Sequence, residues 1–549
     1  MRIGVILGML WTLGASLPAS DSTPAAPPQR LFEAFTPKQK PEVRDVANYL
    51  EYCPVQIRFR TLEALREGDR LELNLLPDYN LIAVIDRIDR HDEQRTSYFG
   101  HLDGIDHPYS HVILTRVNDV LAASVYAPPL RIEFGVIYHR DGYHLVYRPD
   151  PTKRGGCGTG NTPEPSTESL PSPEPSEANP KSGSEASGGD FSPAGDFDPA
   201  GCGWGVPMVD VMVVYTPAIR TARGSHNAVV AAAQLAMDVS NTIYQNSNIP
   251  LRMRLVFVGE VSYDEGLDTF ATHLDRLQRT SDGFMDIVHT WRDQYRADDV
   301  ALFVADDDAG TLCGVAYCQR DSWGGNGPWE DKAFCVLDGR TNSCIGLGWA
   351  AFTHEIGHNQ GCGHNREDAG CCAEPTGCAP CAHCSRYGDS SYGWRGGTTL
   401  GNRYITVMSY QTNTVGAGNC TSGDYSFAPQ IPFFSTPTLT YEGTSIGYPA
   451  GSCGADNRQV ILDFRCHRDS YRILDCWVNF GWTGSQNGTI CNPFNTVAAA
   501  VDAMSSPAAG RLVDFPTLYI VAGSRRESIT ISKRMRIEAC GGTARIGAP

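Results

Sequence analysis

Residues 354 to 364 carry the side chains best suited to bind a metal ion. The segment reads His-Glu-Ile-Gly-His-Asn-Gln-Gly-Cys-Gly-His. On a helix, residues four apart lie on the same face, so His354 and His358 present two imidazoles to one ion. Gly361 permits a turn through backbone angles that a residue with a Cβ resists, which returns His364 to that ion. Three neutral imidazoles leave the fourth position of a tetrahedral Zn²⁺ open for water, as in catalytic zinc sites.

Strands alternating with helices must position this motif. The apolar stretch Ile345 to Phe352 precedes it and predicts that the motif helix is buried in the core. Strand signals are the apolar runs Val209 to Tyr215 and Val300 to Ala305 and the alternation from Leu251 to Phe257. Residues 226 to 246, which lie between Tyr215 and Leu251, have a helical apolar face. The pattern predicts an α/β fold with a mixed, mostly parallel sheet and an active-site helix.

The 549 residues divide into several units. Arg2, an apolar run and then small residues indicate a signal peptide over 1–20. Residues 21–157 include a β-rich region, where Val55, Ile57 and Phe59, and then Leu71, Leu73 and Leu75, alternate. A linker rich in Pro, Ser, Glu and Gly follows over 158–201. Two further units are expected over 202–470 and 475–549, the second with short β-type runs at Leu518 to Val521, Ile529 to Ile531 and Arg536 to Ala539.

Composition narrows the class of protein. The chain has 45 Lys and Arg against 62 Asp and Glu, a formal net charge of −17, which disfavours nucleic acid and anionic lipid as partners. Its 19 cysteines favour an oxidising compartment. After the signal peptide, no stretch approaches 18 uninterrupted apolar residues. We therefore expect a secreted, extracellular protein that has no membrane association once the signal peptide is removed.

Several motifs together resemble a known family. The pattern HExxHxxGxxH is followed by a Met in Val407-Met408-Ser409-Tyr410, as in the metzincin zinc endopeptidases. The region from about Pro207 to Arg465 is similar to their secreted reprolysin-like branch. Further matching stretches are Val209 to Pro217, Cys313 to Tyr317, Phe434 to Pro437 and Ala455 to Asn457.

The resemblance implies hydrolysis of peptide bonds with one catalytic zinc ion. Zinc lowers the pKa of bound water to about 7, and Glu355 would act as the general base that takes its proton. Tyr410 would hydrogen-bond the oxyanion or occupy the zinc in the absence of substrate, although an ordinary core Tyr is an alternative reading. Met408 would form an apolar floor beneath the ion. A protein or peptide substrate would bind as an extended strand along Cys313 to Cys318.

The cysteines raise three further questions. The resemblance makes residues 21–157 a prosegment of a latent proenzyme, and Cys157 is its last residue. In reprolysin-like proenzymes a thiolate at such a position binds the zinc and blocks water, while a Cys53–Cys157 disulfide is an equal alternative. The fourteen cysteines from Cys202 to Cys466 suffice for seven disulfides. The cluster over 371–384, with its CxxCxxC spacing, suits a second metal site, but disulfides that staple an insertion are favoured.

Residues 478–547 resemble the opening rungs of a right-handed parallel β-helix of the pectate-lyase type. The alternative to a protease is a non-catalytic exported adhesion protein with a structural zinc, whose C-terminal segment contacts glycans. Glu355 disfavours this alternative, because a degraded protease usually loses its general base.

Asp306 to Asp308 offer carboxylates to Ca²⁺, but such a run is more often a solvated turn, so structural calcium is unsupported.

Overall fold

The computed structural model describes most of the chain: residues 28–36, 48–158, 205–305, 312–317, 329–368, 391–399, 401–414, 420–421, 423–449, 451, 453–513 and 515–547. The predicted signal peptide, nearly all of the linker, the cysteine cluster over 371–384 and Asp306 to Asp308 lie outside these residues, so those expectations stay predictions. Within the described residues, none of the helices combines the length and the apolar character needed to cross a bilayer.

Residues 28–158, the N-terminal unit, form a ten-stranded sheet. Its order is β1-β4-β5-β6-β7-β8-β9-β10-β3-β2, and all neighbours are antiparallel except β1 and β4. Phe59 was expected in a strand but begins a helix, so the strand alternation holds only to Ile57. The elements are β1 (Gln29–Arg30), β2 (Phe32–Ala34), β3 (Tyr49–Ile57), α1 (Phe59–Ala64), β4 (Arg70–Leu76), β5 (Tyr79–Arg90), β6 (Arg95–Leu102), β7 (His111–Val117), β8 (Val120–Ala127), β9 (Ile132–His139) and β10 (Tyr143–Pro149), with 3₁₀ turns at Pro128–Leu130 and Pro151–Lys153.

Residues 205–470, the central unit, are built on a six-stranded sheet of order β11-β15-β16-β14-β12-β13. Its first strand, β11, comes from the N-terminal unit and pairs parallel with β15. The predicted mixed sheet with helices is confirmed, because the β15–β16 pair is antiparallel and every other neighbouring pair in this sheet is parallel. The strands are β11 (Gly156–Cys157), β12 (Met208–Tyr215), β13 (Arg252–Glu260), β14 (Asp299–Val304), β15 (Leu312–Ala316) and β16 (Phe334–Asp338).

Helices and short strands complete the central unit. The helices are α2 (Pro217–Arg223), α3 (His226–Asn246), α4 (Phe270–Gln278), α5 (Ile287–Tyr295), α6 (Ala351–Asn359) and α7 (Asn457–Arg468), with a 3₁₀ turn at Trp329–Lys332. The strands form four two-stranded pairs: β17 (Gly363–Asn365) with β18 (Tyr392–Gly393), β19 (Arg395–Gly396) with β20 (Tyr404–Ile405), β21 (Asn413–Thr414) with β22 (Gly423–Asp424), and β23 (Thr436–Tyr441) with β24 (Thr444–Ile446).

Helix α3 joins the first two units in one core. It packs on β7 and β8 of the N-terminal unit and on β13 of the central unit, and 16 of its 21 residues are buried. Its buried Asp238 accepts hydrogen bonds from the hydroxyls of Ser97 and Thr115, both at 2.6 Å, and Gln234 accepts one from Arg95. A buried carboxylate is costly unless its hydrogen bonds are satisfied, and here two of the donors belong to the N-terminal unit.

Residues 471–547, the C-terminal unit, contain three parallel strands and one short helix, namely β25 (Cys476–Val478), α8 (Val497–Ala503), β26 (Thr517–Arg525) and β27 (Arg536–Ile546). The strand expected at Ile529 to Ile531 is wrong, because that segment runs without strand pairing between β26 and β27. The likeness to a β-helix stays a prediction. Arg254 ties this unit to the central one through ion pairs with Asp210 and Asp475.

The disulfides do not match the seven that the fourteen cysteines from Cys202 to Cys466 could form. Cys313–Cys344 and Cys420–Cys453 lie within the central unit, whereas Cys466 pairs with Cys491 across the boundary to the C-terminal unit. Cys335 and Cys362 are buried thiols. Seven disulfides among the fourteen cysteines are therefore excluded.

Acidification should weaken the N-terminal unit through His144. Its Nε2 accepts a hydrogen bond from the Leu121 N–H at 3.0 Å, its ring lies against Phe59 and Tyr138, and burial lowers its pKa to about 3. The unfolded chain, with a His pKa of about 6.5, then binds more protons than the folded one. Stability should be full above about pH 6.5 and fall by about 1.4 kcal/mol per pH unit below it.

Hydrogen exchange of β7 to β10, corrected for the intrinsic rate at each pH, measures this slope. His144→Gln retains a hydrogen-bond acceptor but takes up no proton. Between pH 6 and pH 4 the free energy of opening should therefore fall less steeply in this variant than in wild type, and the difference in slope should correspond to about one bound proton. Equal slopes in the two proteins would contradict the assignment to His144.

Candidate metal centre

Helix α6 and the turn after it bring three imidazoles together. His354 and His358 lie one turn apart on α6, and His364 lies on β17. The three Nε2 atoms are 3.0 to 3.1 Å from one another. All three rings are buried. The predicted convergence of the three histidines on one point is thus observed.

The hydrogen bonds of these rings indicate that a cation fits between them. Nδ1 of His354 lies 2.8 Å from the carbonyl of Val407, and Nδ1 of His358 lies 2.8 Å from that of Cys362. A carbonyl only accepts, so each Nδ1 carries the proton and each Nε2 directs a lone pair inward. Lone pairs this close repel one another unless a positive ion lies between them. Nitrogen ligands about 2.0–2.1 Å from a tetrahedral Zn²⁺ are roughly 3.3 Å apart, near the observed spacing.

Burial keeps the rings of His354 and His358 neutral. Loss of solvation lowers the pKa of His354 to about 4 and the pKa of His358 well below its ordinary value. Both rings are therefore unprotonated near pH 7, which is the state that binds a metal ion.

Gly361 makes the turn that returns the third imidazole. Its φ is +90°, in the region that favours glycine, and the N–H of Cys362 bonds back to the Gly357 carbonyl at 2.9 Å. The chain then enters β17, which pairs with β18 and carries His364. The role predicted for Gly361 from the motif agrees with this geometry.

Glu355 lies between the imidazoles and the edge of the sheet. Its side chain is fully buried and faces β15 at Gly314. A Cβ on Gly314 would come within 2.7 Å of the Glu355 Cγ, so the strand and the carboxylate approach closely only because this residue is glycine. Gly314 belongs to Cys313 to Tyr317, one of the stretches that resemble the family, but its contact with Glu355 depends on tertiary packing and cannot be predicted from sequence.

The segment around Met408 closes the other side. Met408 is fully buried in the same core cluster as Ile356 and Phe434. The Tyr410 hydroxyl lies 3.0 Å from Nε2 of His364, and its backbone N–H donates to Oδ1 of Asn365 at 3.0 Å. Tyr410 therefore lies beside the third imidazole, and Asn365 is a positioning residue that the sequence does not predict.

Cys157 reaches this centre from the N-terminal unit. Its Sγ lies 3.5 Å from Nε2 of His358 and 3.4 Å from Oε2 of Glu355, and it forms a possible four-ligand group with the three histidines. Neither Cys157 nor Cys53 is in a disulfide, so the Cys53–Cys157 alternative is excluded. The Cys157 carbonyl accepts a hydrogen bond from the Tyr410 hydroxyl at 2.9 Å.

Main-chain and side-chain contacts hold the Cys157 segment in place. Strand β11 pairs with β15, and the Gly158 N–H donates to the Gly314 carbonyl at 2.9 Å. The Trp349 indole donates to the Gly155 carbonyl at 2.8 Å. Arg154 forms an ion pair with Glu133 and donates to the Gly348 carbonyl. These contacts link residues far apart in the chain, so no local pattern signals them.

Comparisons with known proteins relate part of this chain to metallopeptidases. The family model for metallopeptidase family M12, reprolysin type, matches residues 207–422. Proteins named peptidyl-Asp metalloendopeptidase are similar to this chain: the one from Stenotrophomonas maltophilia (strain R551-3) is 29% identical, with 48% of this chain and 52% of the relative aligned. The one from Pseudomonas aeruginosa is 30% identical over 42% of this chain and 35% of the relative. The chain spans about half the length of the first relatives it matches.

Similarity to solved structures is weaker. A chain in the "Structure of a chaperone-substrate complex" is 18% identical, with a TM-score of 0.32 over 49% of this chain and 39% of that chain, a likeness too low to carry an argument. The resemblance predicted from HExxHxxGxxH is confirmed by the family model instead. Residues 207–422 are therefore similar to metallopeptidase family M12, and this similarity supports a metzincin-like zinc endopeptidase.

Proposed function

We propose that this protein is a secreted zinc-dependent endopeptidase that is made as a latent proenzyme. The observation that carries the proposal is the convergence of three imidazoles beside a buried glutamate, next to β15, the strand that pairs with β11. Such a set of groups matches hydrolysis of an extended peptide, because the metal, the base and the strand that binds the substrate adjoin one another.

Three side chains would hold the zinc ion: His354, His358 and His364. When bound, zinc supplies Lewis acidity, which makes water a nucleophile near neutral pH and stabilises negative charge on a carbonyl oxygen. The hydrogen bonds to the carbonyls of Val407 and Cys362 orient two of the rings and keep their Nε2 atoms available as ligands.

Glu355 is the general base. Its carboxylate accepts a proton from the attacking water and returns that proton to the leaving amine nitrogen. The close packing against Gly314 limits where the carboxylate can lie, so the base is positioned before substrate binds.

Tyr410 is a hydrogen-bond donor to the carbonyl that reacts. Its hydroxyl already donates to a backbone carbonyl of an extended segment, that of Cys157, at 2.9 Å. Burial raises the pKa of Tyr410 well above its ordinary value, so the hydroxyl keeps its proton for donation. An oxyanion at the same position would receive a stronger, charge-assisted bond.

Tyr410→Phe should therefore lower kcat by about 10²-fold, the usual effect of removing one oxyanion donor, and change KM little. Steady-state cleavage of a fluorogenic peptide measures both constants. Tyr404→Phe is the matched control, because it removes another buried hydroxyl of the same unit, bonded to the Ser445 carbonyl. A Tyr410→Phe enzyme with unchanged kcat would remove this residue from the mechanism.

Substrate would occupy the edge of β15 that β11 covers. Main-chain groups of Gly156 to Gly158 bond to this strand, which supports the prediction that Cys313 to Cys318 is the binding edge, although Cys318 itself lies outside the described residues. A peptide and the Cys157 segment need the same hydrogen-bond partners. Binding of one excludes the other.

Latency follows from the same segment. The Cys157 sulfur lies near the Glu355 carboxylate and the metal-facing atom of His358, where the attacking water must lie. Thiolate is a strong zinc ligand, so the sulfur would exclude water while the N-terminal unit stays in place.

The name of these relatives, peptidyl-Asp metalloendopeptidase, indicates that they act at Asp in peptides. We extend that preference to this chain as part of the proposal, together with export through the predicted signal peptide. Sequencing the products from a mixed peptide library tests the preference, and cleavage sites spread without regard to Asp would contradict it.

Metal removal tests the activity itself. After the N-terminal unit is removed, the protein should cleave an unstructured protein, lose that activity on dialysis against a chelator, and regain it with one equivalent of Zn²⁺. Cleavage that survives complete removal of metal would refute the proposal. Absence of cleavage with zinc bound would instead favour the adhesion class.

A further inference from the structure

A second cluster of metal-ligand side chains lies in the N-terminal unit, apart from the centre described above. Asp86 is on β5, His101 is on β6, and His107 is in the loop before β7. Oδ2 of Asp86 lies 2.9 Å from Nδ1 of His101 and 2.9 Å from Nε2 of His107. The three ligand atoms all lie within 4.8 Å of one another. Each side chain is partly open to solvent, with exposures of 36%, 21% and 46%.

We propose that Asp86, His101 and His107 form a second metal site, which takes a divalent transition ion such as Zn²⁺. Two imidazoles and one carboxylate are a common donor set for zinc, and the same set suits Cu²⁺ and Ni²⁺. The partial exposure leaves an entry path and room for water to complete the coordination. This proposal depends on none of the groups that carry the proposed peptidase activity.

The backbone around the cluster positions its ligands. The pairing of β5 with β6 shifts register between Ile85 and Arg87, so Asp86 lies in a bulge, and bulges redirect side chains. His101 lies opposite Val84 on the neighbouring strand, next to that bulge. The carboxylate and the first imidazole are therefore set by strand geometry rather than by flexible loops.

The loop that carries His107 is held by hydrogen bonds of its own. The Ser110 hydroxyl donates to the Ile105 carbonyl at 2.5 Å and accepts from the Leu102 N–H at 3.0 Å. The Asp103 N–H donates to the Ile82 carbonyl at 2.8 Å. Fixing the loop in this way reduces the entropy that the third ligand would lose when an ion binds.

A metal ion here would strengthen the contact between the N-terminal and central units. The loop continues to Tyr109, whose ring lies 5.2 Å from that of Tyr441 in the central unit. The His107 ring lies 5.0 Å from that of His111, which in turn is 3.4 Å from the amide of Asn246 at the end of α3. An ion that binds only the folded state would stabilise this boundary in proportion to its concentration.

The experiment compares zinc content between variants of the full-length chain that also carry Glu355→Gln to prevent self-cleavage. Each protein is equilibrated with excess zinc, desalted and analysed for metal per chain. We expect His107→Ala and Asp86→Asn each to bind one ion fewer than their parent. His139→Ala should match the parent, because the His139–Asp141 pair belongs to no group of three metal-ligand side chains among the described residues.

Two further measurements keep the result decisive. Cu²⁺ bound at this site should show two nitrogen ligands by electron paramagnetic resonance, in a signal that is lost in His107→Ala. Zinc should slow hydrogen exchange of the loop over 103–110 in the parent but not in Asp86→Asn, a variant that keeps the size and one acceptor of the side chain. If both variants bind as many ions as the parent, the cluster is an ordinary hydrogen-bonded group and the proposal is wrong.

Discussion

Glu355→Gln is expected to lower kcat/KM for peptide cleavage by about 10³-fold while the protein still folds and still binds zinc. Glutamine has nearly the same size, so it preserves the close packing against Gly314, but it cannot accept a proton from water. The loss should fall on kcat, because the carboxylate acts on the reacting water rather than on substrate binding. Cleavage rates and zinc content, measured after removal of the N-terminal unit, separate these effects.

The matched control is Glu260→Gln at the exposed end of β13, where the side chain pairs with Arg220 on the surface. It should leave cleavage unchanged. A Glu355→Gln enzyme that keeps more than about a tenth of the wild-type rate would show that another group takes the proton. Loss of zinc together with activity would instead indicate a damaged site and would not count in favour of the base.

Cys157→Ser should make the uncut proenzyme about ten- to a hundredfold more active, because a serine hydroxyl binds zinc far more weakly than a thiolate and no longer excludes water. Full activity is not expected. The main-chain pairing of β11 with β15 and the Tyr410 bond to the Cys157 carbonyl both survive the substitution. Peptide cleavage by the intact chain, with gel analysis to exclude processing, measures the change.

Cys53→Ser is the control for this prediction, since Cys53 is another thiol of the N-terminal unit, on β3 and outside any disulfide. It should remain as latent as wild type. If Cys157→Ser were no more active than Cys53→Ser, latency would rest on the strand pairing alone, and the sulfur would have no inhibitory role.

The metal-binding residues could be predicted from sequence because helix geometry fixes their spacing. Two ligands one turn apart, a glycine that permits a positive φ and a third ligand three residues later are all local features, and the structure places them together. Three strands of the central sheet, β12, β13 and β14, and the long helix α3 followed from apolar patterns for the same reason. The limits of β12 and α3 fall within a residue of those expected.

Contacts between distant parts of the chain could not be predicted in this way. The position of Cys157 before the linker predicts an inhibitory zinc ligand, but its approach to His358 depends on β11 joining the sheet of another unit. The Cys466–Cys491 disulfide and the contact of Gly314 with Glu355 depend equally on tertiary packing. Phe59 illustrates a local limit, since one apolar residue fits the end of a strand and the start of a helix equally well.

Because α3 is enclosed by strands of two units, one cut in the backbone between those units would not part them. The clipped protein would persist as a non-covalent heterodimer, with the buried carboxylate of Asp238 still solvated by hydroxyls from the other fragment. Activation in that case requires digestion of the smaller fragment, and its rate of unfolding, rather than the first nick, would set the lag before proteolysis begins.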